Sequence, residues 1–196
     1  MQKIVPNDAV LVPEQATCAF KGEIFDVYQW PQTLFDGSTE TFEMLRRPDT
    51  TSVICIADGK IIVLDEEQPR SGKRRSFPGG RVDETDGNII AAAQREVLEE
   101  TGYTFQHWRV LKVWQPVKKL EWFVHLVLAW DQIAQQDTAH EPGEKISIEL
   151  LPFDEVKQLA AQGVGFLGES LELLSTADAV HHLTTLPEFQ GMTVYR

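Results

Sequence analysis

The sequence predicts an α/β fold in which a mixed β-sheet packs between helices, and three features support this class. The first half is rich in short runs of β-branched and aromatic residues, which favour strands. One segment near the middle has the periodicity and the end signals of a helix, and further strand and helix patterns follow it. Strands that precede, separate and follow helices, with hairpins among them, are typical of a mixed sheet covered by helices.

A β-hairpin is predicted immediately before the middle of the chain. Residues 51–57 and 60–65 are two apolar runs, and Asp58-Gly59 lies between them. An Asp-Gly pair between apolar runs is a strong hairpin signal because both turn positions need a positive φ. The next stretch, residues 66–76, contains a proline, a glycine and four basic residues, and we expect it to be a loop.

The strongest helix prediction runs from about Asn88 to Thr101. Asn88 is a typical N-cap residue, and Gly102 is placed where a left-handed C-cap residue would end the helix. Downstream, the patterns predict strands near 105–115, 121–130 and 144–151, and helices over 153–162 and about 167–185.

Composition restricts the kinds of partner. The 196 residues carry a formal net charge of −12, which argues against non-specific nucleic-acid binding because such binding depends on neutralised phosphates. A small phosphorylated ligand is still compatible with this charge if a divalent cation lies between it and protein carboxylates.

We expect Cys18 and Cys55 to be buried thiols of a reducing compartment. With no leader pattern and no apolar run long enough to span a bilayer, we expect no membrane partner and a cytoplasmic location.

Three glutamates in the predicted helix point to chemistry. Glu96, Glu99 and Glu100 are related by i, i+3 and i+4, so they share one face. Like charges at this spacing cost roughly 0.2–0.5 kcal/mol, and anions in a last helical turn cost about 0.3–1 kcal/mol each. Behind a Gly-Gly turn, the cluster favours a hard-cation site with oxygen ligands. The spacing alone is also compatible with a solvated acidic face.

Residues 77–103 (FPGGRVDETDGNIIAAAQREVLEETGY) resemble the Nudix box, a motif of Nudix hydrolases. The pattern is Gly, five residues, Glu, seven residues, Arg-Glu, an aliphatic, any residue, Glu-Glu, any residue, Gly and an aliphatic. Arg95 to Gly102 match its second half, with Tyr103 at the normally aliphatic end, and Gly80 matches its start.

The first half of the motif departs from the family pattern. Fourteen residues lie between Gly80 and Arg95 where the pattern has thirteen, so this loop carries a one-residue insertion. Either Asp86 or Glu84 stands where the family has its first glutamate. The departure bears on the geometry of the loop and on turnover, because this glutamate is not usually the essential metal ligand of the family.

The resemblance implies roles for individual residues. Glu96 and Glu100 would be the principal ligands of Mg²⁺, for which Mn²⁺ could substitute. Glu99 would join a second ion, and the carbonyl of Gly80 would complete the set. Arg95 would orient the glutamates by ion pairing. The reaction would be attack of water on phosphorus, in which the metal ions neutralise the pyrophosphate, activate the water and stabilise the leaving phosphate.

The resemblance also implies a Nudix-type α/β/α sandwich over residues 49–196, preceded by a β-rich extension over residues 1–48. Within the extension, residues 17–30 and 39–46 have strand composition, and Asp36-Gly37 between them is a turn signal. Such an extension is similar to that of the ADP-ribose pyrophosphatase branch, whose members commonly dimerise. We therefore expect a homodimer.

The same branch suggests substrate contacts. Arg46, next to Arg47, ends the extension, and Arg70 belongs to a Glu-Gln-x-Arg element at 67–70; arginines at these places contact phosphates or the terminal ribose in the branch. Arg81 and Tyr28 are further candidates, with Tyr28 and Trp30 placed to hold a base.

Other residues of the same kinds have simpler interpretations. Lys73, Arg74 and Arg75 are interpreted as a solubilising loop. The other tryptophans lie on predicted strands and are expected in the core or an interface, namely Trp108, Trp114, Trp122 and Trp130.

A general base is expected before the last strand of the domain. Glu144, in the Glu-x-Ile pattern Glu144-Lys145-Ile146, is the candidate, and Glu141 is the reserve. The leading hypothesis is a hydrolase of ADP-ribose or a nucleotide sugar. Two alternatives stay open: a pyrophosphatase of damaged nucleoside triphosphates or dinucleotides, and a Nudix-fold sensor that binds a nucleotide without cleaving it.

Overall fold

The computed structural model of the protein describes residues 2–68, 72–138 and 145–195. Within these residues the strands are β1 Gln2–Val5, β2 Thr17–Lys21, β3 Asp26–Thr33, β4 Thr39–Arg46, β5 Thr50–Ala57, β6 Lys60–Gln68, β7 Gly72–Ser76, β8 Tyr103–Trp114, β9 Leu120–Glu121, β10 Val124–Gln135, β11 Lys145–Leu151 and β12 Met192–Tyr195. The helices are α1 Ile89–Thr101, α2 Phe153–Ala161 and α3 Leu171–Ser175, with 3₁₀ turns at Glu84–Asp86, Gly165–Ser170 and Val180–Thr185.

A mixed sheet forms the centre of the molecule, with the strand order β11-β6-β5-β10-β8 and with β7 added to β6. The pair β5–β10 is parallel, whereas β10–β8, β5–β6 and β6–β11 are antiparallel. Alternate residues of β5 and β6 face opposite sides because side chains alternate along a strand. Val53 and Leu64 pack with α1 on one face, while Ile54 and Val63 pack with α2 and α3 on the other. The predicted α/β/α sandwich is therefore confirmed.

The β5–β6 hairpin forms where it was predicted. Asp58 and Gly59 have φ angles of 51° and 70°, and the register pairs Ala57 with Lys60. Among the described residues, only one other non-glycine, Asp131, has a positive φ. Aspartate tolerates this region better than bulkier residues, which explains its place at the tight turn.

Helix α1 also forms between the predicted capping residues. The Asn88 side chain accepts a hydrogen bond from the Ala91 N–H at 2.9 Å. At the other end, Gly102 has a φ of 72° and donates its N–H to the Leu98 carbonyl at 2.9 Å. The helix therefore ends at Thr101, so Glu99 and Glu100 lie in its last turn.

The N-terminal strands form two smaller sheets. One has the order β2-β3-β4-β9, and in the other β1 pairs with β12. Strand β2 lies at an edge and all five of its residues are exposed. The prediction that both cysteines are buried is wrong for Cys18, which lies on this strand, and right for Cys55 in β5.

Two sequence predictions of local structure differ from the structure. Residues 66–76 do not form a single loop, because β6 continues to Gln68 and β7 pairs with it. The long helix expected over 167–185 is broken into 3₁₀ turns and the short α3. Hydroxyl groups of Ser170, Thr176 and Thr184 donate to carbonyls three residues earlier, and such local bonds compete with helix propagation.

Strands β1 and β12 were not predicted, since each is four residues long and finds its partner at the far end of the sequence. Across the described ranges, none of the helices combines the length and apolarity required to cross a bilayer.

Candidate active site

The loop 78–82 lies along β5 as an extra, short strand-like segment. Its rungs are Val53 N–H to the Pro78 carbonyl at 2.7 Å, Thr51 N–H to the Gly80 carbonyl at 2.8 Å, and Val82 N–H to the Asp49 carbonyl at 2.9 Å. At the bend between the first two rungs, Gly79 has a φ of 140°, and a Cβ there would collide with the Thr51 carbonyl. Only glycine fits this position.

The last two turns of α1 bring two glutamates onto this loop. Glu100 is buried, and its Oε2 accepts the Gly79 N–H at 2.7 Å. A Cβ on Gly80 would lie 2.6 Å from both carboxylate oxygens of Glu96. The missing side chain of Gly80 therefore leaves the space in which the Glu96 carboxylate sits, and Glu96 and Glu100 converge on the Gly79-Gly80 turn.

The positive charge near the Glu96 carboxylate does not fully compensate its burial. Burial raises the pKa of Glu96 to about 7, and the neighbouring Arg95 offsets this only in part. A carboxylate that loses solvation in this way becomes stably ionised when a cation approaches it. A divalent cation would supply that charge, so the pKa of Glu96 fits a metal-binding role.

The oxygen atoms at the turn also fit a hard cation. Two carboxylates and the Gly80 carbonyl, which accepts the Thr51 N–H at 2.8 Å and the Thr51 hydroxyl at 3.4 Å, are oxygen ligands of the type that Mg²⁺ prefers. Among the residues that the structure describes, no three His, Cys, Asp or Glu side chains converge on one point as a ready-made cage. Mg²⁺ commonly binds through one or two carboxylates plus substrate phosphates and water, which agrees with such an incomplete set.

Arg95 connects the loop and the helix. Its guanidinium contacts Asp86 at 2.8 and 3.0 Å, Glu96 at 2.9 Å and Glu99 at 3.2 Å, and donates to the Arg81 carbonyl at 2.9 Å. Glu99 is the more exposed of the two glutamates that Arg95 contacts. The Arg95 contacts with Asp86 and Glu96 raise the pKa of its guanidinium further above its usual range, so it stays charged.

Asp86, and not Glu84, faces Arg95 across the loop with the inserted residue. The Asp86 carboxylate also accepts the Asp83 N–H at 2.7 Å, while Glu84 is exposed. Gly87, directly after Asp86, has a φ of 75° and turns the chain towards α1. An aspartate is one methylene shorter than a glutamate, and this extra turn of chain lets the shorter side chain reach Arg95.

A cleft of about 540 Å³ opens beside the Gly79-Gly80 turn. Its wall includes four arginines but only two carboxylates, and the charged and aromatic residues lining it are Arg47, Glu66, Arg74, Arg75, Arg81, Trp122 and Glu169. In a chain with a net charge of −12, this is a locally basic surface, and it lies next to the candidate metal ligands.

Arg47 lies against aromatic rings in this cleft. Its guanidinium lies 4.8 Å from the Trp122 ring centroid and 5.6 Å from that of Phe25. The Arg47 Nε is buried and, in the part of the chain that the structure describes, has no hydrogen-bond partner. Burial is the main cause that lowers the pKa of Arg47 from its usual value, and the nearby positive charge of Arg81 is the second. An anion in the cleft would relieve both effects.

The other predicted substrate contacts have different surroundings. Arg46 pairs with the buried Glu121 at 3.0 and 3.3 Å and lies 4.3 Å from the Tyr28 ring centroid. Neither Arg46 nor Tyr28 lines the cleft. Arg81 lines it and pairs with Asp83 at 2.7 Å. Arg70, Glu144 and the reserve Glu141 lie outside the described residues.

Two interpretations based on the sequence need correction. Arg74 and Arg75 do not belong to a solubilising loop; they lie on β7, line the cleft and pair with Glu66 and Glu149, respectively. Trp122 does not lie on a strand, because it follows β9 and lines the cleft, where its Nε1–H donates to Thr50 Oγ1 at 2.9 Å. A tryptophan within an apolar run carries no sequence signal for a partly buried position at a cleft.

Comparisons with known proteins agree with the geometry. The NUDIX domain family matches residues 46–174, which is well over half of the chain. The fold is similar to a solved structure described as "Crystal structure of ADP compounds hydrolase", with a TM-score of 0.65, 19% identity, and coverage of 83% of this chain and 90% of that one. A search of curated protein sequences gives no significant match. With the domain matched and its glutamates gathered at the Gly79-Gly80 turn, the chain belongs to the Nudix hydrolase family.

Proposed function

We propose that this Nudix hydrolase uses Mg²⁺, with Mn²⁺ as a substitute, to cleave the pyrophosphate of a nucleoside diphosphate linked to a sugar. ADP-ribose or a related nucleotide sugar would give a nucleoside monophosphate and a sugar phosphate. The observation that carries this proposal is the position of Glu96 and Glu100 at the Gly79-Gly80 turn, directly beside an arginine-lined cleft. Carboxylates that hold a cation next to arginines that hold phosphates are what pyrophosphate hydrolysis needs.

The ion would be held by Glu96, Glu100 and the Gly80 carbonyl, with Glu99 available to a second ion. When bound, it supplies charge neutralisation on the pyrophosphate and a more acidic water molecule. Arg95 keeps Glu96 and Glu99 in place through its hydrogen bonds at 2.9 and 3.2 Å.

We assign phosphate binding to two arginines of the cleft, Arg81 and Arg47. Arg81 lines the cleft next to Gly80, and Arg47 lies against Trp122 with a buried, unused Nε donor. A guanidinium held against an aromatic ring is well oriented for phosphate oxygens, because it loses little freedom on binding. We retain Arg46, Arg70 and Tyr28 as predictions, with Arg46 requiring release from Glu121.

The general base is proposed to be Glu144, with Glu141 in reserve. Within the described cleft, Glu169 offers a third carboxylate: it is exposed and lines the wall, while its backbone is held by the Lys112 ammonium at 2.8 Å. A base must reach the attacking water directly or through one other water, and this requirement applies to each of the three carboxylates.

We further propose that the chain divides into a β-rich extension (1–48) and a Nudix domain (49–196). The extension is paired with the rest through β4–β9 and β1–β12. A homodimer is proposed because the extension exposes several large apolar side chains, namely Phe20, Ile24, Phe25 and Phe35. A cytoplasmic location and the absence of a nucleic-acid partner stay predictions from the sequence.

The deciding experiment is a substrate panel. The protein is incubated with Mg²⁺ and ADP-ribose, nucleotide sugars, dinucleotides or nucleoside triphosphates, and the products are identified. Release of AMP and ribose phosphate from ADP-ribose supports the proposal. Preferential cleavage of triphosphates or dinucleotides would point to the first alternative, and tight binding without cleavage of any compound would point to the sensor.

A further inference from the structure

A buried group of charged side chains lies behind the candidate metal site. The Asp49 side chain is 1% exposed, and its Oδ2 contacts the Lys3 Nζ at 2.9 Å and the His125 Nε2 at 3.2 Å. Its other oxygen accepts the Phe123 N–H at 3.1 Å. A carboxylate buried to this degree needs such partners, because it has lost its solvation by water.

Asp49 is also the first residue of the ladder that holds the Gly79-Gly80 turn. Its carbonyl accepts the Val82 N–H at 2.9 Å, and two residues later Thr51 N–H donates to the Gly80 carbonyl at 2.8 Å. The side chain and the backbone of one residue therefore contact the buried charges on one side and the candidate metal-binding loop on the other.

Lys3 reaches this position from strand β1, far from Asp49 in the sequence. Its strand is held in register by β12, where Lys3 pairs with Val194. The Lys3 side chain is 10% exposed, and its ammonium lies 5.2 Å from the Phe123 ring centroid. The lysine is therefore fixed by strand pairing and by an aromatic contact and does not move freely at the surface.

We propose that Lys3 is a positioning residue for the metal-binding loop. By neutralising the Asp49 carboxylate, Lys3 keeps the Asp49 backbone in position to hold the loop 78–82 against β5. Strands β1 and β12 therefore support the candidate site. Without Lys3, the buried carboxylate draws in water or moves towards it, and the Val82 and Thr51 rungs loosen. The catalytic consequence rests on the proposed function, but the loosening of the loop does not.

The test compares Lys3→Met with Lys3→Arg, and with Lys21→Met as the control on the exposed strand β2. Hydrogen exchange of the Thr51 and Val82 amides is measured without metal, together with amides of the β8–β10 pair as an internal reference. Mn²⁺ affinity is measured by electron paramagnetic resonance, and kcat and KM on any substrate found.

For Lys3→Met we expect about tenfold faster exchange at Val82, unchanged exchange in β8–β10, and roughly tenfold weaker Mn²⁺ binding, a size typical of residues behind metal ligands. With the metal saturating, kcat should fall while KM stays constant. Lys3→Arg should restore all three properties.

A second variant keeps the proposal testable if Lys3→Met does not fold. The double substitution Lys3→Met/Asp49→Asn removes both charges, so it should fold and recover Mn²⁺ affinity to within about threefold of wild type, since no buried charge is left uncompensated. Exchange and Mn²⁺ affinity in Lys3→Met equal to those in Lys21→Met, or a double variant as impaired as Asp49→Asn alone, would overturn the proposal. Loosened exchange with no hydrolysis of any compound would instead reject only the proposed function.

Discussion

The Asp86 carboxylate and the Arg95 guanidinium form two parallel hydrogen bonds of 2.8 and 3.0 Å across the loop that carries the inserted residue. The pair joins the 3₁₀ turn Glu84–Asp86 to helix α1. Arg95 also donates a hydrogen bond to the Glu96 carboxylate, so the same guanidinium orients Glu96. Bidentate pairs of this kind fix geometry as well as charge. The insertion therefore leaves the contact between loop and helix in place.

Asp86→Asn is expected to lower kcat by roughly 10- to 100-fold, the range found for residues that orient metal ligands. The amide cannot balance the charge of Arg95, which then pairs more closely with Glu96 and Glu99 and withdraws them from the metal. Glu84→Gln, in the same turn but exposed, is the matched control and should keep wild-type rates. Equal activities of the two variants would contradict the role of Asp86.

Glu100→Gln should reduce turnover by about a thousandfold or more, because a metal ion supplies several kcal/mol of charge stabilisation to such a reaction. The amide oxygen can still accept the Gly79 N–H, so the thermal unfolding temperature without metal should change little. Glu172→Gln, an exposed glutamate of α3, provides the control. A Glu100→Gln enzyme with wild-type turnover would rule out the proposed metal site.

Glu96 should make the metal-free protein less stable as the pH rises. Its folded-state pKa of about 7 lies above the usual 4.5, so the folded state binds this proton more tightly than the unfolded state. The contribution of this group to stability is full below about pH 4.5 and is lost as the pH rises through about 7. We therefore expect Glu96→Gln to stabilise the metal-free protein at pH 8, by up to about 3 kcal/mol.

The measurement is denaturant unfolding of wild type and Glu96→Gln at pH 5 and pH 8 with a chelator present. The difference should be larger at pH 8, and millimolar Mg²⁺ or Mn²⁺ should stabilise the wild type but not the variant. A stability difference that does not change with pH would show that Glu96 is ionised normally in the metal-free protein.

How far the sequence predicts this molecule depends on the range of the interactions involved. The ends of α1 and the β5–β6 turn are set by neighbours within four residues, Asn88 and Gly102 in one case and Asp58-Gly59 in the other, and both were predicted. The pairing of β1 with β12 was not, because nothing local in either strand specifies a partner at the other end of the chain.

The candidate site divides in the same way. The glutamates of α1 follow from helix periodicity and the resemblance, and the structure places Glu96 and Glu100 at the glycine turn. Arg46 and Arg47 are sequence neighbours with opposite surroundings, one paired with Glu121 and the other in the cleft. Tertiary packing decides which of the two arginines lines the cleft, and a sequence pattern does not contain that information.

Arg47→Lys is expected to raise KM for the substrate by about tenfold while kcat changes little. Lysine keeps the charge but loses the contact between the guanidinium and the Trp122 ring and the fork of donors that matches phosphate oxygens. Trp122→Leu should raise KM in the same direction by removing the surface that orients Arg47. Steady-state kinetics under saturating Mg²⁺ separate the two parameters. Arg75→Lys, on the same cleft but paired with Glu149, serves as the control, and an equal rise in KM there would contradict a specific role for Arg47.

The general base should be identified by the shape of the pH–rate profile as well as by the rate. A base lost from the enzyme lowers kcat by about 10²- to 10⁴-fold and removes the fall in rate on the acid side, because that limb reports protonation of the base. We expect this result for Glu144→Gln, with unchanged Mn²⁺ affinity, and near wild-type profiles for Glu141→Gln and Glu169→Gln. A loss of the acid limb in Glu169→Gln alone would move the role to the 3₁₀ turn Gly165–Ser170, whose Glu169 lines the cleft. A retained limb in all three variants would mean that the attacking water loses its proton to the metal-bound carboxylates or to bulk water, because no separate base would then limit the rate.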